Sequence, residues 1–195
     1  MKRLGTLLIM LFVLFGLQAQ SWDLSKDKNG IKVYVKKTEE YRMPASKVTA
    51  FIDAPFEDVV EAIFEVKNYT AYVPDCAKIE VLKRTGSNEL IYYGLFDTPW
   101  PAADRDLVIQ LKKIPIPNGV KIDMTNKSNF IEVKESATRI PIYFGFWEIV
   151  KSTQGVKVTL EYQTDPGGSV PDWMIQGAAT KTPFNMIEGL REFLN

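Results

Sequence analysis

The 195-residue chain contains no histidine and a single cysteine, Cys76. Without an imidazole there is no common general base, no commonest metal ligand and no partner for a serine or cysteine nucleophile, so the usual hydrolytic arrangements are excluded together. One cysteine forms no intramolecular disulfide, and the core has to hold the fold unaided. Asp75 beside that thiol offers no metal-ligand spacing. An excess of one charge is missing as well: 24 basic and 24 acidic side chains balance, and nothing steers the protein toward nucleic acid or an anionic surface. Internal repeats, low-complexity tracts and linker-like stretches are absent after the first 20 residues.

What is present begins with Lys2 and Arg3, an apolar run from Leu4 to Leu17, and then Gln18-Ala19-Gln20. This is the layout of a secretory signal peptide with cleavage after Ala19. The run is about 14 residues, short of the roughly 20 a permanent bilayer helix needs; an uncleaved anchor is the competing reading. Setting aside Lys2 and Arg3 leaves 22 basic against 24 acidic groups in residues 20–195, a net charge near −2. That stretch is long enough for one domain with a sizeable core and too short for two. The expected product is a single exported domain, periplasmic or secreted, and monomeric.

Alternation dominates the remainder. Residues 31–36 and 46–52 place apolar side chains on one face at period two and predict two strands. Pro55 opens a short helix carrying Phe56, Val59, Val60, Ile63 and Phe64, and a second short helical piece covers 68–72. Strands follow near 77–84, 89–97, 105–113, 119–126, 131–150 with interruptions, and 155–164, divided by turn signals such as Pro117-Asn118-Gly119. Asp165-Pro166-Gly167-Gly168 breaks the last strand and reads as a turn rather than a phosphate loop, because no Gly-Lys-Ser or Gly-x-Gly-x-x-Gly accompanies it. A final helix runs from Pro171 to Leu194, with Trp173, Gly177, Thr180, Phe184, Ile187, Leu190 and Leu194 on its inward side. Pro183 inside it withdraws the usual hydrogen bond from the Ala179 carbonyl. The sum is an α+β layout, a long antiparallel sheet gripping a C-terminal helix. Gly177 and Thr180 either leave a hollow under that helix or allow close approach; both readings stand.

These residues resemble a known family. Trp22 to Leu24, Gly30-Ile31 and Val33-Tyr34, then Thr98-Pro99-Trp100-Pro101 with Asp104-Arg105-Asp106, then Arg139 with Gly145 and Trp147, then Asp165-Pro166-Gly167-Gly168 with Pro171 and Trp173, are similar in order to the StAR-related lipid transfer (START) domain of the Bet v 1-like helix-grip superfamily. The resemblance implies one sterol, phospholipid, sphingolipid or other apolar ligand held between sheet and final helix, no cofactor, and a gate formed by the loop from Asp97 to Asp104 with that helix. Trp100 in this loop either meets ligand or membrane or plugs a sheet corner. Positions where some members carry a buried acid and arginine fall on Gly94 and Leu111, so that pair is missing.

Arg105 shares its face with Leu107, Ile109 and Leu111, so the guanidinium has to pair with a carboxylate or lie at a cavity mouth. An ion pair bracing the gate is the expectation for Arg105, and a structural ion pair also for Arg139. The expected ligand-binding set is Tyr92, Phe96, Trp100, Arg105, Leu107, Ile109, Trp147, Tyr162, Trp173, Gly177, Thr180 and Phe184. The expectation is a non-enzymatic lipid binder or lipid-transfer protein with transient membrane contact. The alternative is a cyclase- or aromatase-like enzyme of the same superfamily, using Tyr, Arg and Asp where others use His.

Overall fold

Alternating apolar and polar residues give one face of a sheet to solvent and the other to a helix, and the computed structural model shows that assembly. It describes residues 21–133 and 136–195; the expected leader, residues 1–19, lies outside them. The strands are β1 Asp23–Lys28, β2 Ile31–Lys36, β3 Ala45–Ile52, β4 Cys76–Thr85, β5 Glu89–Phe96, β6 Arg105–Ile116, β7 Gly119–Asn126, β8 Thr138–Arg139, β9 Ile142–Ser152 and β10 Gly155–Asp165. Helices α1 Phe56–Phe64, α2 Tyr69–Tyr72 and α3 Asp172–Leu194 complete it, with a 3₁₀ turn at Val66–Asn68. The sheet order is β1-β2-β3-β10-β9-β7-β6-β5-β4, antiparallel throughout, with the two-residue β8 added parallel to β6.

The strands expected from residue 31 onward are all present, β6 extending three residues further than expected, to Ile116. β1 was not anticipated. Its sequence, Asp-Leu-Ser-Lys-Asp-Lys, is mostly exposed and carries no apolar face. What forms it is the turn that follows: Asn29 and Gly30 both adopt positive φ, 55° and 69°, the backbone of a tight hairpin in which Asn-Gly is the favoured pair. Pro55 and Pro171 sit one position before α1 and α3, at extended ψ, so each fixes the chain at the helix boundary rather than inside the first turn.

The core lies between the concave face and the helices, with Ile31, Val33, Val48, Ile52, Ile109, Leu111, Ile122 and Ile149 fully enclosed. On α3, Ile175, Ala179, Phe184, Ile187 and Leu190 are buried. The Ala179 carbonyl freed by Pro183 accepts a hydrogen bond from the Ser46 hydroxyl of β3 at 2.8 Å, so the helix interruption is satisfied from the sheet. Gly189 lets α3 approach α2: a Cβ there would stand 2.3 Å from the Tyr72 carbonyl oxygen.

On the convex side, Asp106 is wholly buried and Arg139 grips it with two bonds, Nε to Oδ1 at 2.6 Å and Nη2 to Oδ2 at 3.0 Å. Arg139 also donates to the carbonyls of Ser128, Ile131 and Glu132. This is the structural ion pair expected of Arg139, and it ties the 126–138 connection to β6.

Candidate functional site

The inward phase of the strands sets the wall of a cavity. Tyr92 and Phe96 of β5, Arg105 and Leu107 of β6, Met124 of β7, Tyr143 and Trp147 of β9 and Tyr162 and Thr164 of β10 point to it, and α3 closes it with Met174, Ile175, Ala178, Thr182 and Met186. Its volume is about 280 Å³, near the roughly 300 Å³ at which small-ligand sites begin. Met43, Met124, Met174 and Met186 all line it, and they are every methionine after residue 20. Unbranched thioethers adapt to differently shaped guests better than branched side chains do.

Five of the eight tyrosines line the cavity too: Tyr69, Tyr72, Tyr92, Tyr143 and Tyr162. Rings pack against one another, Tyr143 stacked on Tyr162 at 5.6 Å and Tyr69 edge-on to Tyr92 at 5.8 Å. Burial raises the pKa of Tyr69, Tyr72, Tyr92 and Tyr143 well above the ordinary phenol value, with neighbouring phenols adding to the rise. Burial pushes Tyr162 up to about 12, its hydrogen bond with Ser46 opposing the shift. All five are neutral phenols near pH 7, able to donate and to accept.

Charge among the described lining residues is limited to Asp75, Asp97 and Arg105. Asp75 and Asp97 border the cavity, and both are solvent-exposed. Arg105 also lines the cavity, is buried, and makes no ion pair of the kind expected among the described residues. It donates to the Ala103 carbonyl, to the Pro166 carbonyl at 3.2 Å and to the Gly167 carbonyl at 3.0 Å. Burial lowers its pKa while the nearby Asp104 carboxylate pulls it back up. Carbonyl oxygens therefore replace the expected carboxylate, and they staple loop 97–104 to the turn after β10. That turn places Gly167 and Gly168 at φ 65° and 59°, with the Gly167 amide donating to Asp165 Oδ1 at 2.9 Å. Asp104 in turn accepts the Thr98 amide at 3.0 Å, closing the loop on itself.

Of the twelve residues expected to meet ligand, Tyr92, Phe96, Arg105, Leu107, Trp147 and Tyr162 line the cavity. Ile109 lies behind the wall in the core, fully enclosed. Trp100 and Trp173 are 90% and 71% exposed; neither lines the cavity, and Trp100 is no core plug. Gly177 is exposed, with nothing within 4 Å of where its Cβ would be. Thr180 bonds Ser25 of β1 at 2.7 Å, and Phe184 is buried beneath Lys26, whose Nζ stands 3.3 Å from the ring centroid. Trp173, Gly177, Thr180 and Phe184 thus face solvent and β1, while the cavity is met by 174-178-182-186, one to two residues further along and so rotated by roughly 150°. Because β1 lacks an apolar pattern, the helix face that covers it was read as the cavity face.

Tyr69, Tyr72, Tyr143 and the methionines were missed as lining residues. The short helical piece at 68–72 gave no sign that its phenols turn inward. The two positions where a buried acid and arginine were looked for are accounted for: Leu111 is core, and a Cβ at Gly94 would lie 2.9 Å from Phe96 Cε2. The Phe96 ring occupies the place an acidic side chain would take.

Comparison with known proteins agrees with this geometry. Residues 52–191 match the model of the family described as polyketide cyclase/dehydrase and lipid transport. The crystal structure of a StAR-related lipid transfer protein from Xanthomonas axonopodis is similar at a TM-score of 0.82 and 30% identity, covering 89% of this chain and 98% of that one. An uncharacterized protein of Pseudomonas aeruginosa is 30% identical over 89% of this chain and 86% of its own length. The bovine phosphatidylcholine transfer protein is 24% identical over 89% and 84% respectively.

Proposed function

Since the chain belongs to the polyketide cyclase/dehydrase and lipid transport family and carries the START-like fold, we propose that it is a non-catalytic carrier that holds one apolar lipid between sheet and α3. The observation that carries this reading is the wall itself: four adaptable methionines and five neutral phenols, with the two lining carboxylates solvent-exposed and the buried Arg105 guanidinium engaged by backbone carbonyls. An apolar guest gains the burial of its surface there, about 25 cal/mol per Å², and meets no buried carboxylate among the described lining residues. A volume of about 280 Å³ admits one compact guest, and a two-chain phospholipid needs the gate to open.

Exchange takes place at a membrane. Trp100 projects from the gate loop beside Pro99, and Trp173 from the start of α3 beside Met174, both neighbours lining the cavity. Exposed indoles astride a lipid cavity suit the bilayer interface, where an amphipathic ring is best accommodated. The protein works as an exported monomer, residues 1–19 directing it to the periplasm or beyond. A cyclase-like activity would need a carboxylate or a tyrosine of strongly shifted pKa in the cavity; Asp75 and Asp97 are solvent-exposed, so that second reading would rest on the buried tyrosines.

Transfer of a fluorescent cholesterol between phosphatidylcholine vesicles tests the reading. The protein is expected to accelerate transfer, and Trp100→Ala with Trp173→Ala to slow it about tenfold without weakening equilibrium binding. No acceleration together with no binding of the sterol would defeat it.

A further inference from the structure

Three of the five cavity phenols are already committed. Tyr69 donates to the Ile63 carbonyl at 2.6 Å and Tyr72 to the Ala62 carbonyl at 2.8 Å, both at the end of α1. Tyr162 is hydrogen-bonded to Ser46. Tyr92 and Tyr143 have no hydrogen-bond partner among the described residues, although Tyr92 is 5% exposed. Their hydroxyls are not sealed in packing either: the sealed, partnerless side-chain atoms among the described residues are Thr38 Oγ1 and Asn126 Oδ1. Tyr92 is buried, Tyr143 half-buried, and both line the cavity, so the cavity is the space these hydroxyls meet.

Tyr92 and Tyr143 come from β5 and β9, three places apart in the sheet order. Curvature brings them into one interior, near enough that the Tyr92 phenol adds to the rise in pKa at Tyr143. A phenol left without a partner in an apolar interior costs on the order of 1–3 kcal/mol, and the fold carries two such groups. Around them stand Leu107, Met124 and Trp147; the lining carboxylates Asp75 and Asp97 are solvent-exposed, and the buried Arg105 guanidinium is already engaged by the carbonyls of Ala103, Pro166 and Gly167.

We propose that Tyr92 and Tyr143 form the polar subsite of the cavity and receive a single uncharged oxygen, a hydroxyl or carbonyl, at the buried end of an otherwise apolar ligand. The proposal rests on the carrier reading and narrows it to neutral, single-headed lipids bound oxygen-first. A phenol pair can donate to a carbonyl, or donate to and accept from a hydroxyl. It supplies no counter-charge for a phosphate, a carboxylate or an ammonium.

The test is equilibrium binding of two matched probes, 1-dodecanol and dodecane, to the wild-type protein and to Tyr92→Phe and Tyr143→Phe, with near-ultraviolet circular dichroism to confirm matched folds. Wild type is expected to prefer the alcohol by about tenfold, and each substitution to weaken alcohol binding about fivefold while leaving the alkane unchanged, the loss of roughly one hydrogen bond. If both probes bind and neither substitution changes the alcohol-to-alkane ratio, the subsite is wrong and the carrier reading survives. If wild type binds neither probe, both fall.

Discussion

Among single side chains, the Arg139–Asp106 pair has the most to lose. Asp106 is 0% exposed and receives both guanidinium bonds. Removing the arginine leaves a carboxylate buried without its partner, which costs about 3–5 kcal/mol, a large part of the 5–15 kcal/mol typical of a domain. Arg139→Ala should therefore lower the urea midpoint steeply, whereas Arg105→Ala, which frees only carbonyl oxygens near the mouth, should lower it less and raise hydrogen exchange in loop 97–104. Equal losses would contradict the division of labour between the two arginines. The sequence showed that both arginines needed partners; it did not show that the partner of Arg105 would be backbone, because carbonyl positions depend on a turn formed 61 residues away.

Helix α3 and strand β3 make a separable test. Ser46 stands in for the backbone amide that Pro183 lacks, donating to the Ala179 carbonyl at 2.8 Å. Ser46→Ala orphans that carbonyl and should cost about 1–3 kcal/mol. In a Pro183→Ala background the amide of residue 183 can supply the bond, so the same serine substitution should cost clearly less. Calorimetric unfolding of the four proteins gives the coupling, and additive losses would show that Ser46 does not serve the helix break. The interruption was legible from Pro183 alone. The strand ladder was legible as well, since period-two alternation marks a sheet with one wet face. β1 and the face of α3 that it covers were not, because β1 is polar and formed by its Asn29-Gly30 turn and by pairing with β2. Missing that one element turned the helix by one to two residues and set Trp173, Gly177, Thr180 and Phe184 toward the cavity, which they do not line.

In the whole molecule, apolar strand faces and a long amphipathic helix make a wall that the core does not fill, and loop 97–104, carrying the exposed Trp100, is stapled beside it to the turn after β10. The fold and half of the expected lining were readable because both depend on strand phase. The methionine and tyrosine character of the rest depends on how α2 and α3 are seated, which no local pattern records. The claim that stands or falls with the molecule is that the cavity holds lipid, one per chain. Native mass spectrometry after incubation with vesicles of phosphatidylcholine containing cholesterol and 1-dodecanol measures this directly. The account predicts a single added mass of one lipid per monomer, displaced by excess 1-dodecanol; a protein recovered at its bare mass, with an unfolding temperature unchanged by any of these lipids, would contradict it.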